Sequence, residues 1–165
     1  LLRALCEIAD QTLAIQTQTN QGNSYNGPMA SQNSFGLELH DSAFDSVVHV
    51  EQTCLIALRP AYVYEVDGES GELGPCMTVN ILFEFDHGCV DGVLGDLPNP
   101  ILDGSLSVDA QLIEGLIPVP FDGQGAVSMK LFMWPDYREI AISARGLKAR
   151  LDGVPRLEKN PIIAK

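Results

Sequence analysis

The chain has 165 residues, 45% of them apolar, 19% charged, and a formal net charge of −12. That length predicts one domain with room for a core, and the acidic balance opposes binding to nucleic acid or anionic headgroups. No apolar run reaches the length of a membrane-spanning helix, so no membrane span is expected.

The charge is unevenly spread. Residues 1–129 hold two cations, Arg3 and Arg59, whereas residues 130–165 hold eight. The basic end reads either as a late strand neutralised by acidic neighbours or as a strip that meets an acidic partner. The chain opens Leu1-Leu2-Arg3, without an initiator Met or the shape of a signal peptide, as expected of a fragment or a processed chain. The four cysteines, Cys6, Cys54, Cys76 and Cys89, either pair or remain buried thiols. Their even number in a Lys-poor chain leans toward an extracellular or secreted setting, although no N-glycosylation sequon supports it.

In chain order, Leu2, Leu5, Cys6, Ile8, Ala9 and Leu13 share one helical face, which predicts an amphipathic helix over residues 1–16. Residues 17–34 carry no charge and read as a polar arm or loop, with Tyr25 and Met29 as its anchors. Period-two alternation then predicts an antiparallel sheet over residues 35–151. A short strand is expected at Phe35–Leu39. A longer one is expected at Ser46–Leu58, ended by Arg59-Pro60, with Ala61–Val66 continuing after a bend.

Asp67–Gly74 reads as a turn region and Cys76–Asp86 as the cleanest strand, with Met77, Val79, Ile81, Phe83 and Phe85 on one face. Asp86-His87-Gly88 is read as a turn, with a return strand at Cys89–Leu94, and residues 95–100 as a loop. Leu106–Leu112, Val127–Met133 and Ile140–Ala144 are three further strands. Asp122-Gly123-Gln124-Gly125 and Pro135-Asp136-Tyr137 are read as the turns between them. Beyond Leu151 the pattern decays into a tail over residues 152–165, opened by an Asp152-Gly153 turn. The predicted fold class is α+β: an N-terminal amphipathic helix packed on a predominantly antiparallel sheet of seven to nine strands, curled into a sandwich or open barrel.

Ile117-Pro118-Val119-Pro120-Phe121-Asp122-Gly123-Gln124-Gly125 resembles a strand-turn of the insect lipid carriers of the takeout class. The other strands do not follow that family's pattern, so no family is assigned from it.

Chemistry-bearing groups are few. His40-Asp41-Ser42 contains triad residue types, but a triad is built by convergence in space, and neighbours in sequence read instead as a polar turn. Cys76, His87 and Cys89 lack the paired spacing of a zinc site, and a full strand separates Cys76 from the other two. A regular hairpin would equally hold Cys76 from Cys89, which leaves Cys54 with Cys76 or Cys89 as the easier disulfides. Asp67, Glu69 and Glu72 crowd a glycine-containing loop, a weak calcium candidate without the EF-hand spacing. Glu84 and Asp86 share one wet strand face, where an acid–base pair would need differing environments. Met77, Met129 and Met133 suit either packing or an adaptable cavity wall.

Phe121, Phe132, Trp134 and Tyr137 cluster near the turns bounding one strand, either as core or as a binding patch. Together these features predict a non-catalytic subunit that presents sheet surfaces to a protein partner or to copies of itself, without a cofactor and with only the weak calcium candidate as a metal site. The alternative is a carrier that holds an apolar small molecule, a lipid or pigment, between helix and sheet. A hydrolase using scattered Asp, Glu and His ranks third.

Overall fold

A computed structural model describes residues 34–157. Ten strands make up the fold: β1 (Ser34–Glu38), β2 (Ala43–Val50), β3 (Thr53–Val66), β4 (Leu73–Asp86), β5 (Cys89–Asp91), β6 (Asn99–Val108), β7 (Gln111–Ile113), β8 (Ile117–Val119), β9 (Phe121–Met133) and β10 (Arg138–Leu157). The described fold is therefore all-β, which overturns the α+β class. The helix expected at residues 1–16 lies outside the described residues, as do the arm anchors Tyr25 and Met29.

All pairings are antiparallel. From β2 the sheet runs through β6, β9, β10, β4 and β3, and β3 pairs β2 again, so these strands close a barrel. The wall has no open rim at most positions, which removes the edges that an open sheet would expose. β1 and β8 extend the wall beside β3, while β5 and β7 add short pairings to β10 and β6.

Alternation fills the interior. Ile56 and Leu58 of β3, Ile81, Phe83 and Phe85 of β4, Met129, Leu131 and Met133 of β9, and Ile140 and Ile142 of β10 are all buried. Phe44 of β2 and Ile101 and Leu106 of β6 complete the same core. Removing this apolar surface from water is the principal drive to fold. The expectation for β4 thus holds at Val79, Ile81, Phe83 and Phe85, with Met77 partly buried against the core.

Several expected turns and strands differ. Ser46–Leu58 is a hairpin, because Glu51-Gln52 turns the chain with Glu51 at φ 54° and Val50 opposite Thr53. Leu106–Leu112 also folds back. Asp109 and Ala110 sit at φ 49° and 62° between paired Val108 and Gln111, the left-handed pair of a type I′ turn. In both places a two-residue turn passes without disturbing the apolar alternation.

Conversely, residues read as chain breakers are absorbed within strands. Arg59-Pro60 forms a bulge inside β3, opposite one fewer residue of β4. Asp152-Gly153 opens a bulge in β10, which continues to Leu157. Asp122–Gly125 lies within β9, and Gly125 marks its bulge against β10. Bulges let a strand bend where the barrel wall must curve.

Residues 87–88 reverse nothing either. Asp86 pairs Gly146 and Cys89 pairs Ser143 in one continuing register, so β5 prolongs β4 along β10. Pro135-Asp136-Tyr137 is a turn as expected, joining Met133 to Arg138.

Candidate interaction surface

Phe132 lies on β9 between Leu131 and Met133, whose side chains are buried, so its ring points away from the core. Two residues on, Trp134 shares that outward face, and its N–H donates to the Pro100 carbonyl at 3.0 Å. Tyr137 closes the turn at φ 58° and sets its ring against Phe132, with centroids 6.1 Å apart in a tilted arrangement. Trp134 and Tyr137 remain 56% and 63% exposed. Around them the outer face is polar: Asp103 and Glu139 flank Phe132 in register, and Lys130 lies 3.5 Å from Glu139. Arg138 stands 3.6 Å from Asp136 in the same turn.

Of the residues expected to cluster, Phe132 and Tyr137 are in ring contact and Trp134 shares their hairpin. Phe121 is separate. It begins β9 and pairs Ala149, at the opposite end of a strand roughly 35 Å from Phe132 at about 3.3 Å per residue. It packs against the core instead.

The remaining groups are engaged locally. Asp67 Oδ1 accepts from the Glu69 N–H at 2.8 Å and the Ser70 N–H at 2.7 Å, and these bonds hold its carboxyl below the usual range. Among the described residues no three His, Cys, Asp or Glu side chains gather around a position for a metal ion. Glu84 binds Arg150 at 3.0 Å, whereas Asp86 lies 3.0 Å from its neighbour His87, so the two carboxylates have different partners. Lys148 approaches Asp122 at 3.9 Å. Most of the described basic end thus lies against carboxylates, in exposed pairs worth about 0–1 kcal/mol each. Arg59 bridges Asp45 and Asp152, both at 3.2 Å, and so ties β2, β3 and β10 across the outer wall.

Cys54 and Cys76 are free thiols, so neither pairing expected for Cys54 forms, and Cys89 is engaged with another partner. Burial pushes the Cys54 thiol up to about 11, which keeps it protonated and unreactive.

His40-Asp41-Ser42 is a junction rather than a triad. The residues between β1 and β2 leave the β3 ladder and cross to β6. There the Asp41 N–H donates to the Ile101 carbonyl at 2.9 Å and the Ile101 N–H to the Ser42 carbonyl at 2.8 Å. Ser42 is fully buried, donating its hydroxyl proton to the Glu38 carbonyl at 2.6 Å and accepting from the Tyr62 N–H at 3.1 Å. A serine with both lone-pair and proton so occupied is not a nucleophile. The sequence places Ser42 in a polar turn, and its bond to Glu38 is local, but the bond to Tyr62, twenty residues on, has no local signal.

His40 Nδ1 meets the Leu102 carbonyl, and Nε2 lies 3.5 Å from Asp41. The Leu102 hydrogen bond raises the imidazole above its ordinary value, burial opposes it less strongly, and the charges of Asp41, Glu38 and Asp103 each add a smaller rise. A raised histidine contributes stability that is present below its unfolded value near 6.5 and is lost as pH rises through the folded value. We expect His40, followed by NMR, to titrate above the ordinary histidine range and Asp41→Asn to lower its midpoint. An unchanged midpoint would remove Asp41 from this account.

No protein-family model, curated protein or solved structure matches the chain.

Proposed function

We propose that this chain is a non-catalytic interaction module whose contact surface is the Phe132–Trp134–Tyr137 hairpin. One observation carries the reading: two large aromatic side chains stand more than half exposed on a tight turn whose strands are anchored in the core. Aromatic rings held in place lose little freedom on binding and bury much surface, which makes them favoured anchors of protein interfaces. Neighbouring Asp103, Lys130 and Glu139 provide the polar rim such contacts use.

A carrier function draws less support, since Phe44, Phe83, Phe85, Met129 and Met133 occupy the barrel interior. The acid–base groups face separate partners, which likewise favours binding over catalysis.

The test places photoreactive benzoylphenylalanine at Trp134 and, as a control, at exposed Leu112 on β7. Irradiation in the native extract should give discrete protein adducts from position 134 and none from 112. Equal labelling at both positions, or none at 134, would reject the hairpin as the contact. A lipid or pigment recovered by organic extraction of the purified chain would instead favour the carrier.

A further inference from the structure

β2 faces two different environments along its length. Ala43 and Phe44 pair with β6, but from Asp45 to Val50 its pairing among the described residues is to β3 alone. The two-residue turn at Glu51-Gln52 fixes which backbone groups are spent. Val50 and Thr53 flank it as a hydrogen-bonded pair, so Val48 and Ser46 also direct their N–H and C=O toward β3. Val47 and His49 then direct theirs outward. Val48 and Val50 are 51% and 52% exposed, and among the described residues no strand pairs with this edge.

The geometry points to this edge as the seam of a two-fold dimer, in which β2 of one copy pairs antiparallel with β2 of a second. The proposal adds a second surface to the interaction reading above and does not depend on the aromatic hairpin.

Two features select a second copy as the occupant. The first is self-complementarity. With the axis at Val48, Val47 of each copy lies opposite His49 of the other, so both outward-facing residues find mutual backbone partners. On the outer face Val48 meets its own mate and Val50 lies beside Ser46. The second is charge. In a chain of net charge −12, residues 46–50 contain no Asp, Glu, Lys or Arg, so two like-charged copies can approach here. Asp45 would come opposite Glu51 of the second copy, a repulsion that Arg59, shared at 3.2 Å between Asp45 and Asp152, offsets only in part. The edge also lacks the lysines and prolines by which exposed strands discourage pairing. So short a ladder buries less than the roughly 1,200 Å² of a standard interface, and the dimer is accordingly reversible.

Sedimentation of the full chain over a concentration series tests this. The mass should rise toward twice the monomer value, while the amides of Val47 and His49 exchange about tenfold more slowly at the highest concentration. His49→Pro removes an outward N–H that the β3 ladder does not use, and Val48→Lys sets two cations face to face across the axis. Both variants should stay monomeric with unchanged circular dichroism, and Val48→Lys keeps the test open should the proline disturb folding. A wild-type chain that remains monomeric, or a dimer that survives Val48→Lys, overturns the proposal. Slowed exchange at Val47 and His49 that does not depend on concentration also overturns it, because the edge would then be covered within one chain. Trp134→Ala should leave the dimer intact, so the two surfaces fail or stand separately.

Discussion

Replacing Ser42 with alanine is expected to cost about 2–4 kcal/mol of folding stability, measured by denaturant unfolding. The hydroxyl is fully buried and serves two strands at once, through the Glu38 carbonyl and the Tyr62 N–H. Alanine fits the space, so the loss comes from hydrogen bonding rather than from packing. Water cannot readily replace the hydroxyl in so enclosed a position, and a buried group deprived of its partner costs about 1–3 kcal/mol. Ser42→Thr keeps the hydroxyl but adds a methyl group at a fully buried position, so it should recover only part of the loss. A Ser42→Ala chain within about 0.5 kcal/mol of wild type would show that the junction does not depend on this hydroxyl.

Gly125→Ala should be comparably severe, at about 2–4 kcal/mol, for two separable reasons. Gly125 sits at φ 120°, which side-chain-bearing residues rarely adopt, and a Cβ there would meet the Asp109 carboxylate oxygens at 2.3 and 2.4 Å. That carboxylate is not free to withdraw, because it accepts from the Ala126 N–H at 2.8 Å and the Asp109 N–H donates to the Ala126 carbonyl at 2.8 Å. The bulge in β9 and the β6–β7 turn therefore hold each other in place. In a double-mutant cycle, Asp109→Ala should relieve the collision but not the dihedral strain, giving a Gly125→Ala penalty smaller by more than about 0.5 kcal/mol in that background. Strict additivity would show that the collision contributes nothing.

Alternation along β4 and β9 was legible because both strands keep one face in the core over most of their length. Met77 to Phe85 and Val127 to Met133 needed no knowledge of their partners. The hairpins at Glu51-Gln52 and Asp109-Ala110 were hidden because Glu51, Asp109 and Ala110 occupy left-handed conformations without the customary glycine or asparagine. Pro60, Gly125 and Gly153 misled in the other direction: a breaker ends a flat strand, whereas a barrel wall accommodates it as a bend. Phe132, Trp134 and Tyr137 could be grouped from their spacing alone. The role of Ser42 depends on β1, β3 and β6 meeting around it, and no local pattern announces such a meeting.

The narrowness of the join between β2 and β6 sets the order in which the wall gives way. β3 with β4 and β9 with β10 are held by long ladders, whereas Ala43 and Phe44 are the only β2 residues in register with β6, extended just by the bonds of Asp41 and Ser42 to Ile101. Thermal fluctuation opens a cylinder where its stitching is shortest, so the earliest partial unfolding parts these two strands and leaves the other ladders standing. Phe44 and Ile101 then come into contact with solvent. Among the described residues, proteases and aggregation would first gain access at that slit, below the melting temperature.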